Sequence, residues 1–311
     1  MNMNCINSIS PDRDGVAQGS FLKYVLITPA RNEALYIEET IKSVIQQTVL
    51  PIEWVIVSDG STDGTDDIVK KYVAQYDWIK YVRMPERAER NFAGKVNAFK
   101  AGYMKVNDLN YDIVGSLDSD ISFEEDYMSF LLSKFSINQK LGIAGTPFRE
   151  NGTSYDFRFS ATEHVSGACQ LFRRECYEDI GGYVPVKGGG IDLVAVLTAR
   201  MRGWETRTFT EKHSLHHRPE GTATGSLFKS RYKDGQKDYA LGAHPLWELF
   251  RTVYQMSRKP LFIGGFAMLC GYLSNMIRNV DRTVSNELMQ FRRKDQMRRL
   301  KAFFTKVLLR G

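Results

Sequence analysis

The first 120 residues alternate between short apolar segments and amphipathic ones, and this alternation limits the choice of fold more than any other feature. Helical patterns separate the apolar segments; in the first of them Ile37, Ile41 and Val44 fall on one face. Alternating strands and helices predict βαβ units, and therefore an α/β fold with a doubly wound, mostly parallel sheet. The predicted strands cover residues 23–29, 53–58, 80–84 and 113–117.

Acidic residues follow three of the predicted strands. Glu33 and Asp59 come after the first and second strands, and Asp118 and Asp120 end the fourth. Because open parallel sheets bind ligands at the carboxyl ends of their strands, these carboxylates are expected to share one cleft. Two aspartates one residue apart repel each other, and Mg²⁺ or Mn²⁺ carrying phosphates would relieve that repulsion. An isolated D-x-D pair is also typical of a solvated turn in which Asp118 caps the next helix, but the shared cleft favours a metal site.

The charge of the chain is unevenly distributed. Its net charge is +6, yet residues 278–311 hold ten Lys or Arg and three Asp or Glu, whereas residues 1–217 carry a net charge of −5. A nucleic-acid-binding core would place its basic residues the other way round, so we expect no nucleic-acid partner. A basic tail on an acidic catalytic half fits a membrane surface or an anionic acceptor.

The cysteines and the N-terminal segment bear on the cellular compartment. The four cysteines are scattered and form no C-x-x-C pair, which favours neither a zinc cluster nor a disulfide framework and suits a reducing cytosol. Residues 1–20 are polar and lack an apolar core, so we expect a loose N-terminus and no secretory signal. The predicted location is therefore cytoplasmic.

Four segments taken together resemble a known family. They are Thr-Pro-Ala-Arg-Asn-Glu33, Val-Ser-Asp59-Gly-Ser-Thr-Asp-Gly-Thr, Gly-Lys95-Val-Asn-Ala and Leu-Asp118-Ser-Asp120. In this order and spacing they resemble the family 2 glycosyltransferases of GT-A fold, over roughly residues 22–220. The resemblance implies an inverting transfer from a nucleotide-sugar donor that is held by the first half of the sheet. By motif position it implies that Pro29, Arg31 and Glu33 line the nucleoside pocket, Asp59 takes the base edge, Lys95 and Asp118 lie near the nucleotide, and Asp120 binds the metal on the diphosphate.

Some of these positions have structural alternatives. The segment that begins at Asp59 is also a good turn and helix cap, and we expect Asp63 to serve only in that way. Lys95 is alternatively a solvated lysine at the start of a helix. Arg31 is a plausible phosphate or base contact, and its alternative is a surface ion pair.

The second half of the predicted domain supplies the acceptor side. Apolar segments predict strands at residues 141–146 and 167–172, followed by a short helix. By resemblance, the small residues Ser166, Gly167 and Ala168 would border the transferred sugar, where they leave room.

Asp192 is the expected catalytic base. It follows the glycine run of residues 188–190 and precedes a predicted helix over residues 193–202. By resemblance, it stands where the family carries the base that deprotonates the acceptor hydroxyl, commonly as Glu-Asp, and Ile191 replaces the Glu here. The alternative is that Asp192 only caps its helix.

Three of the five histidines, His213, His216 and His217, lie between a predicted strand at residues 205–209 and Arg218. By resemblance, one of them would complete the metal shell or contact the diphosphate. Alternation along an extended chain places His216 and His217 on opposite faces, and we expect His216 to face the metal. Arg218 would offset charge on the departing nucleotide.

Residues 226–311 form a predicted basic helical appendage. Its residues 260–277 carry no charge, and this length only just reaches that of a membrane-spanning helix. Three glycines within it favour an interfacial or re-entrant helix, held at the inner face of the cell membrane by basic flanks. The alternative is a helical subdomain that packs on the catalytic core or on another copy of the chain.

Taken together, these features predict a metal-dependent, inverting glycosyltransferase with Mg²⁺ or Mn²⁺ as cofactor. Residues 21–225 would be its catalytic domain, in which residues 21–120 bind the donor and residues 121–225 bind the acceptor. The resemblance favours a UDP-sugar as donor and a lipid-linked or glycan acceptor of cell-envelope or exopolysaccharide synthesis. A polyprenyl-phosphate sugar synthase is one alternative; it needs no general base, because a phosphate acceptor is already ionised. A non-catalytic scaffold that binds the nucleotide without transfer is the other.

Overall fold

A seven-stranded sheet forms the centre of the protein, whose computed structural model describes residues 22–86, 92–150, 161–186, 188–218, 227–258 and 261–308. The predicted N-terminal segment at residues 1–20 and the predicted boundary at residue 225 lie outside the described residues. The strands of the sheet are β1 Tyr24–Ala30, β2 Glu53–Ser58, β3 Ile79–Arg83, β4 Ile113–Leu117, β6 Leu141–Gly145, β8 Cys169–Arg173 and β9 Glu205–Thr208.

The strands of this sheet run mostly in one direction. Their order is β3-β2-β1-β4-β8-β6-β9. β1 to β4 are parallel to one another, and β9 is parallel to β6. β8 is antiparallel to both β4 and β6, so it alone opposes the other six strands described in this sheet. The predicted α/β fold with a mostly parallel sheet is confirmed.

Helices cover both faces of the sheet, as a doubly wound fold requires. These helices are α1 Ile37–Ile45, α2 Thr65–Val73, α3 Phe92–Val106, α4 Tyr127–Ile137, α5 Arg174–Asp179 and α6 Ile191–Met201. Successive side chains of β1 enter opposite cores: Leu26 packs with residues of α1, α2 and α4, and Ile27 packs with residues of α3, α5 and α6. Both side chains are fully buried.

A second, three-stranded sheet of very short strands lies beyond the end of β4. It consists of β5 Ile121–Ser122, β7 Phe148–Arg149 and β10 Ser214–His216, with β10 in the middle. The β5–β10 register pairs His216 with Ile121, and the backbone N–H of His217 donates to the carbonyl of Asp120 at 2.9 Å. This small sheet therefore brings the histidine segment to the D-x-D segment.

In the part of the chain that the structure describes, four helices follow the central sheet: α7 Leu227–Ala240, α8 Pro245–Met256, α9 Ile263–Ile277 and α10 Asn286–Leu308. α7 and α9 pack closely through glycines. A Cβ on Gly235 would lie 1.8 Å from the carbonyl oxygen of Met268, and one on Gly271 would lie 1.9 Å from that of Tyr232. No residue larger than glycine fits at either contact, so the backbones of the two helices touch there.

The predicted apolar stretch at residues 260–277 forms α9 in its described part. Within the described ranges, no helix has both the length and the apolar character needed to cross a membrane. One side of α9, including Ala267 and Tyr272, is buried, as expected for a helix that packs within a subdomain. Its first turn is different, because Phe262, Ile263 and Phe266 are exposed.

Candidate active site

The nucleoside end of the predicted donor site lies where β1 and β2 finish. Pro29 is in β1, paired with Val57 of β2, and the backbone N–H of Asp59 donates to the carbonyl of Ala30 at 2.8 Å. The Arg31 Nη1 atom is 3.9 Å from the Asp59 Oδ2 atom, and Asp59 is only 4% exposed. The ion pair that was the alternative for Arg31 is therefore present, but it lies in the cleft and not on an open surface.

Arg218 joins the ends of β1 and β4. Its guanidinium pairs with the carboxylate of Glu33, which is 185 residues away in the chain. Its Nε atom lies 3.6 Å from the Asp120 Oδ2 atom, and its guanidinium lies over the ring of Tyr36, 5.4 Å from the centroid. The structure thus brings Arg218, Glu33 and Asp120 together, and the cation has carboxylates on two sides.

His216 faces Asp120, whereas His217 points the other way. The His216 Nε2 atom is 3.6 Å from the Asp120 Oδ1 atom, and the His217 Nε2 atom is 2.9 Å from the hydroxyl of Ser122. On its other side, the His216 Nδ1 atom is 3.8 Å from a carboxylate oxygen of Glu150. The expected alternation of these two histidines is present.

Asp120 and His216 fit a divalent cation that is shared with a ligand. At 3.6 Å their two facing atoms are too far apart for a hydrogen bond. Ligands at about 2.1 Å from one octahedral ion lie about 3 Å apart in neighbouring positions and about 4 Å apart in opposite ones, so one ion could contact both. Among the residues the structure describes, no group of three or more His, Cys, Asp or Glu could hold a metal. Phosphate oxygens and waters would therefore have to complete the shell, as is usual for Mg²⁺.

Lys95, in the first half of α3, is paired with Asp118. Its ammonium group donates to the Asp118 carboxylate and also lies 3.4 Å from the carbonyl oxygen of Gly167. Burial alone would lower the pKa of Lys95, but the negative charges of Asp118, Asp192 and Asp120 raise the pKa above its usual range. Lys95 therefore remains a cation in the middle of the site.

The structural alternatives that the sequence left open for Lys95 and Asp118 are wrong. Lys95 is not a solvated lysine at a helix start, because its charge is paired inside the cleft. Asp118 does not cap the next helix, since α4 begins at Tyr127 and the residue at its N-cap is Asp126. Local sequence favours both alternatives. The long-range pairing of Lys95 with Asp118 excludes the first, and the position at which α4 begins excludes the second.

Asp192 lies on the same cleft as Asp118 and Asp120. It is the second residue of α6, whose N-cap position is taken by Gly190 in the left-handed region at φ 93°, so the capping alternative for Asp192 is wrong. A Cβ placed on Gly167 would be 3.2 Å from the Cβ of Asp192, and the carbonyl of Gly167 is the one that Lys95 contacts. Gly167 thus separates Asp192 from the Lys95–Asp118 pair by the width of one backbone segment.

Sequence patterns missed two residues of the site. Glu150 reaches His216 because β7 pairs with β10, and a two-residue strand has too little periodicity to predict that pairing. His164 lies near Asp192, whose charge acts on it, and its Nδ1 atom is buried without a hydrogen-bond partner in the described structure. Its only signal in the sequence is its place just before the small residues 166–168.

Solved glycosyltransferase structures share this fold. The mannosyltransferase PcManGT from Pyrobaculum calidifontis, solved with GDP-Man and Mn²⁺, is 18% identical with a TM-score of 0.56, covering 94% of this chain and 81% of that one. Residues 1–349 of S. aureus TarS, solved with UDP-GlcNAc, are 16% identical with a TM-score of 0.52, covering 87% of this chain and 78% of that one. At these identities the likeness shows the GT-A fold alone.

Sequence comparison adds the family. The poly-beta-1,6-N-acetyl-D-glucosamine synthase of Staphylococcus aureus (strain COL) is 25% identical over 264 residues, an alignment that covers 78% of this chain. This chain spans only 60% of the length of that relative. Residues 25–173 match the model of glycosyl transferase family 2. Residues 25–173 are therefore identified as a glycosyl transferase family 2 domain.

Proposed function

We propose that the protein transfers a sugar from a nucleoside-diphosphate donor to a lipid-linked or glycan acceptor, as a step in cell-envelope or exopolysaccharide synthesis. The observation that carries this proposal is the position of Lys95, whose cation lies in the combined field of Asp118, Asp120 and Asp192. In such a cleft, Asp118 and Asp120 on one side of Lys95 can serve the diphosphate of a donor, and Asp192 can serve the acceptor. The family 2 domain and the polysaccharide synthase relative support the same activity.

The donor would lie along the carboxyl ends of β1, β2 and β4, within the donor half at residues 21–120. Pro29, Arg31 and Asp59 form its nucleoside end, where the Asp59 carboxylate is an acceptor for an N–H of the base. A UDP-sugar is favoured because TarS was solved with UDP-GlcNAc and the synthase relative makes a polymer of N-acetylglucosamine. The mannosyltransferase was solved with GDP-Man, so both nucleotides belong in the test.

Asp120 and His216 would hold Mg²⁺ or Mn²⁺, which supplies positive charge to the leaving diphosphate when bound. Arg218 and Lys95 would add further positive charge near the leaving diphosphate. Asp192, in the acceptor half at residues 121–225, accepts the proton of the acceptor hydroxyl. As that oxygen bonds to the anomeric carbon, the bond from this carbon to the diphosphate breaks and its electron pair leaves with the nucleotide. One displacement of this kind inverts the anomeric centre.

The appendage at residues 226–311 would hold the enzyme on the inner face of an anionic membrane. Its outer apolar surface, which we call the α8–α9 surface, is exposed although it belongs to two packed helices. Arg258 lies between α8 and α9 in the chain, and residues 278–311 carry ten Lys or Arg against three Asp or Glu. Apolar side chains beside excess positive charge match a leaflet of anionic lipids better than a second, equally basic copy of the chain. The α8–α9 surface consists of Leu246, Leu249, Val253, Leu261, Phe262, Ile263 and Phe266.

A donor-hydrolysis panel tests the proposed activity. The full-length protein is incubated with UDP-GlcNAc, UDP-glucose, GDP-mannose and a dTDP-sugar, each with Mn²⁺, with Mg²⁺ or with EDTA, and release of the nucleotide is measured. We expect one nucleotide class to be hydrolysed slowly, only with a divalent cation, and faster with a sugar acceptor. Binding of nucleotides without hydrolysis or transfer would instead favour the non-catalytic scaffold.

A further inference from the structure

The loop that follows β1 reaches two regions of the candidate active site. β1 lies between β2 and β4 in the sheet, so a chain that leaves its carboxyl end can contact the ends of both neighbours. Arg31 turns towards the end of β2, where its Nη1 atom is 3.9 Å from the Asp59 Oδ2 atom. Two residues later, Glu33 pairs with Arg218, whose Nε atom is 3.6 Å from the Asp120 Oδ2 atom. Glu33 therefore lies on the Asp120 side of the cleft.

The backbone of this loop is held at Glu33 and at the residue before it. Asn32 adopts the left-handed conformation at φ 56°, and its side-chain oxygen accepts from the backbone N–H of Thr62 at 2.8 Å. The backbone N–H of Glu33 donates to the hydroxyl of Thr65 at 2.8 Å, and its carbonyl accepts from the N–H of Tyr36 at 2.9 Å. A left-handed residue other than glycine needs such surrounding contacts to persist. The base of the Glu33 side chain consequently has a fixed position.

Glu33 is the inner member of its pair with Arg218. The Glu33 side chain is 7% exposed, whereas that of Arg218 is 24% exposed. The guanidinium also lies over the ring of Tyr36, 5.4 Å from the centroid, which is a favourable position for a cation. The carboxylate thus holds the guanidinium from the protein side, and part of the Arg218 side chain remains accessible to a ligand.

Asp120 would attract Arg218 further if Glu33 carried no charge. At 3.6 Å the Arg218 Nε atom and the Asp120 Oδ2 atom are beyond hydrogen-bonding distance, and a small movement would bring them into a direct ion pair. Such a pair would occupy the carboxylate that we propose for the divalent cation. The negative charge of Glu33 opposes this movement, because it holds the same guanidinium.

We propose that Glu33 is a positioning residue for the diphosphate of the donor, because it holds Arg218 where the guanidinium binds the diphosphate and keeps it apart from Asp120. The proposal rests on the glycosyltransferase function proposed above. It assigns Glu33 to the diphosphate end of the donor site, whereas the resemblance of its motif implies the nucleoside pocket. In this arrangement Glu33 acts through Arg218 and does not touch the reacting atoms.

The diphosphate is the part of the donor that suits this arrangement. A guanidinium binds phosphate oxygens through two parallel hydrogen bonds, and the orientation of its plane decides whether both can form. A carboxylate behind the guanidinium restricts that orientation. A nucleoside without phosphates has no anion for Arg218, so its binding should not depend on the charge of Glu33.

The test measures the affinities for uridine and for UDP separately, with Mn²⁺ at saturating concentration. Saturation-transfer NMR gives the dissociation constant of uridine, and calorimetric titration gives that of UDP. Guanosine and GDP replace them if the donor-hydrolysis panel selects a GDP-sugar. The variants are Glu33→Gln, which keeps the size of the side chain, Arg218→Gln, and the two combined. Glu39→Gln, at an exposed glutamate of α1, is the matched control.

We expect Glu33→Gln to weaken UDP binding about 10-fold and to leave uridine binding within about 2-fold of wild type. Arg218→Gln should weaken UDP binding at least about 10-fold. The double variant should match Arg218→Gln within about 3-fold, since a residue that acts through Arg218 has no effect once Arg218 is gone. Glu39→Gln should bind both ligands as wild type does.

Unchanged UDP affinity in Glu33→Gln overturns the proposal. Equal weakening of uridine and UDP also overturns it, because that result indicates a contact of Glu33 with the nucleoside or a general loss of structure. Losses that multiply in the double variant would show that Glu33 and Arg218 act independently, and would overturn it as well. If the wild type binds neither UDP nor GDP, the proposed function itself is refuted, and this inference with it.

Discussion

Glu248 on α8 should make the stability of the protein depend on pH. The residue is 1% exposed, and neither carboxyl oxygen has a hydrogen-bond partner among the described residues. Burial, together with the nearby charge of Asp238, raises the pKa of Glu248 from 4.5 to about 8. Between these two values the folded protein keeps a proton that the unfolded chain has lost. The free energy of unfolding therefore falls as the pH rises from about 4.5 to 8.

The size of this effect follows from the pKa difference. One pKa unit corresponds to about 1.4 kcal/mol, so the full difference sets a ceiling of about 5 kcal/mol. The cation of Arg251, whose Nη1 atom is 4.0 Å from Glu248 Oε2, and local relaxation reduce the effect. We expect a loss of about 2–4 kcal/mol between pH 5 and pH 8. Glu248→Gln removes the titrating group and should abolish that part of the pH dependence.

Urea unfolding followed by far-UV circular dichroism at several pH values between 5 and 8 measures this difference. At pH 8, Glu248→Gln should be more stable than wild type by about 2–4 kcal/mol, and near pH 5 the two should agree within about 1 kcal/mol. Glu125→Gln, which alters an exposed carboxylate, should follow wild type within about 0.5 kcal/mol throughout. If the difference between wild type and Glu248→Gln stays constant with pH, the proposed protonation of Glu248 is wrong.

Three further predictions concern the proposed donor site and the α8–α9 surface. Lys95→Met leaves Asp118 without its partner and removes a cation from the cleft, so release of UDP in the transfer assay should slow by about 100-fold; an unchanged rate would exclude Lys95 from the site. His216→Ala removes one of the two proposed metal ligands, so the Mn²⁺ concentration for half-maximal UDP binding should rise at least about 10-fold in a calorimetric titration. Phe262→Asp should weaken co-sedimentation with phosphatidylglycerol vesicles at least about 10-fold, whereas Ile137→Asp, at an exposed residue of the catalytic domain, should not. If Phe262→Asp and Ile137→Asp weaken co-sedimentation equally, the protein does not contact the membrane through the α8–α9 surface.

The proposed donor half of the site could be predicted from sequence because its carboxylates follow regular elements. Apolar segments mark β1, β2 and β4, and Glu33, Asp59 and Asp120 lie within three residues of the ends of these strands. In a parallel sheet the ends of neighbouring strands meet, so local patterns were enough to place these carboxylates in one cleft. The partners of these carboxylates were harder to predict. Arg218 reaches Glu33 across 185 residues of chain, and no local pattern contains that contact.

The direction and the pairing of the short strands could not be predicted from local sequence patterns. The pattern of residues 167–172 predicts a strand, but periodicity does not show that β8 runs antiparallel between β4 and β6. The same applies to β5, β7 and β10, which are two or three residues long and yet carry His216 and Glu150 to Asp120. The start of α6 was misjudged by two residues, because Gly190 adopts the left-handed N-cap conformation that leaves Asp192 inside the first turn.

Asp120 is proposed to bind the diphosphate through a cation, and Asp192 to serve only the acceptor. Calorimetric titration of UDP in the presence of Mn²⁺ measures this division of roles, with Asp120→Asn and Asp192→Asn compared side by side. We expect Asp120→Asn to weaken UDP binding at least about 10-fold, and Asp192→Asn to bind UDP within about 3-fold of wild type. Equal weakening by both substitutions, or wild-type affinity in Asp120→Asn, would contradict it.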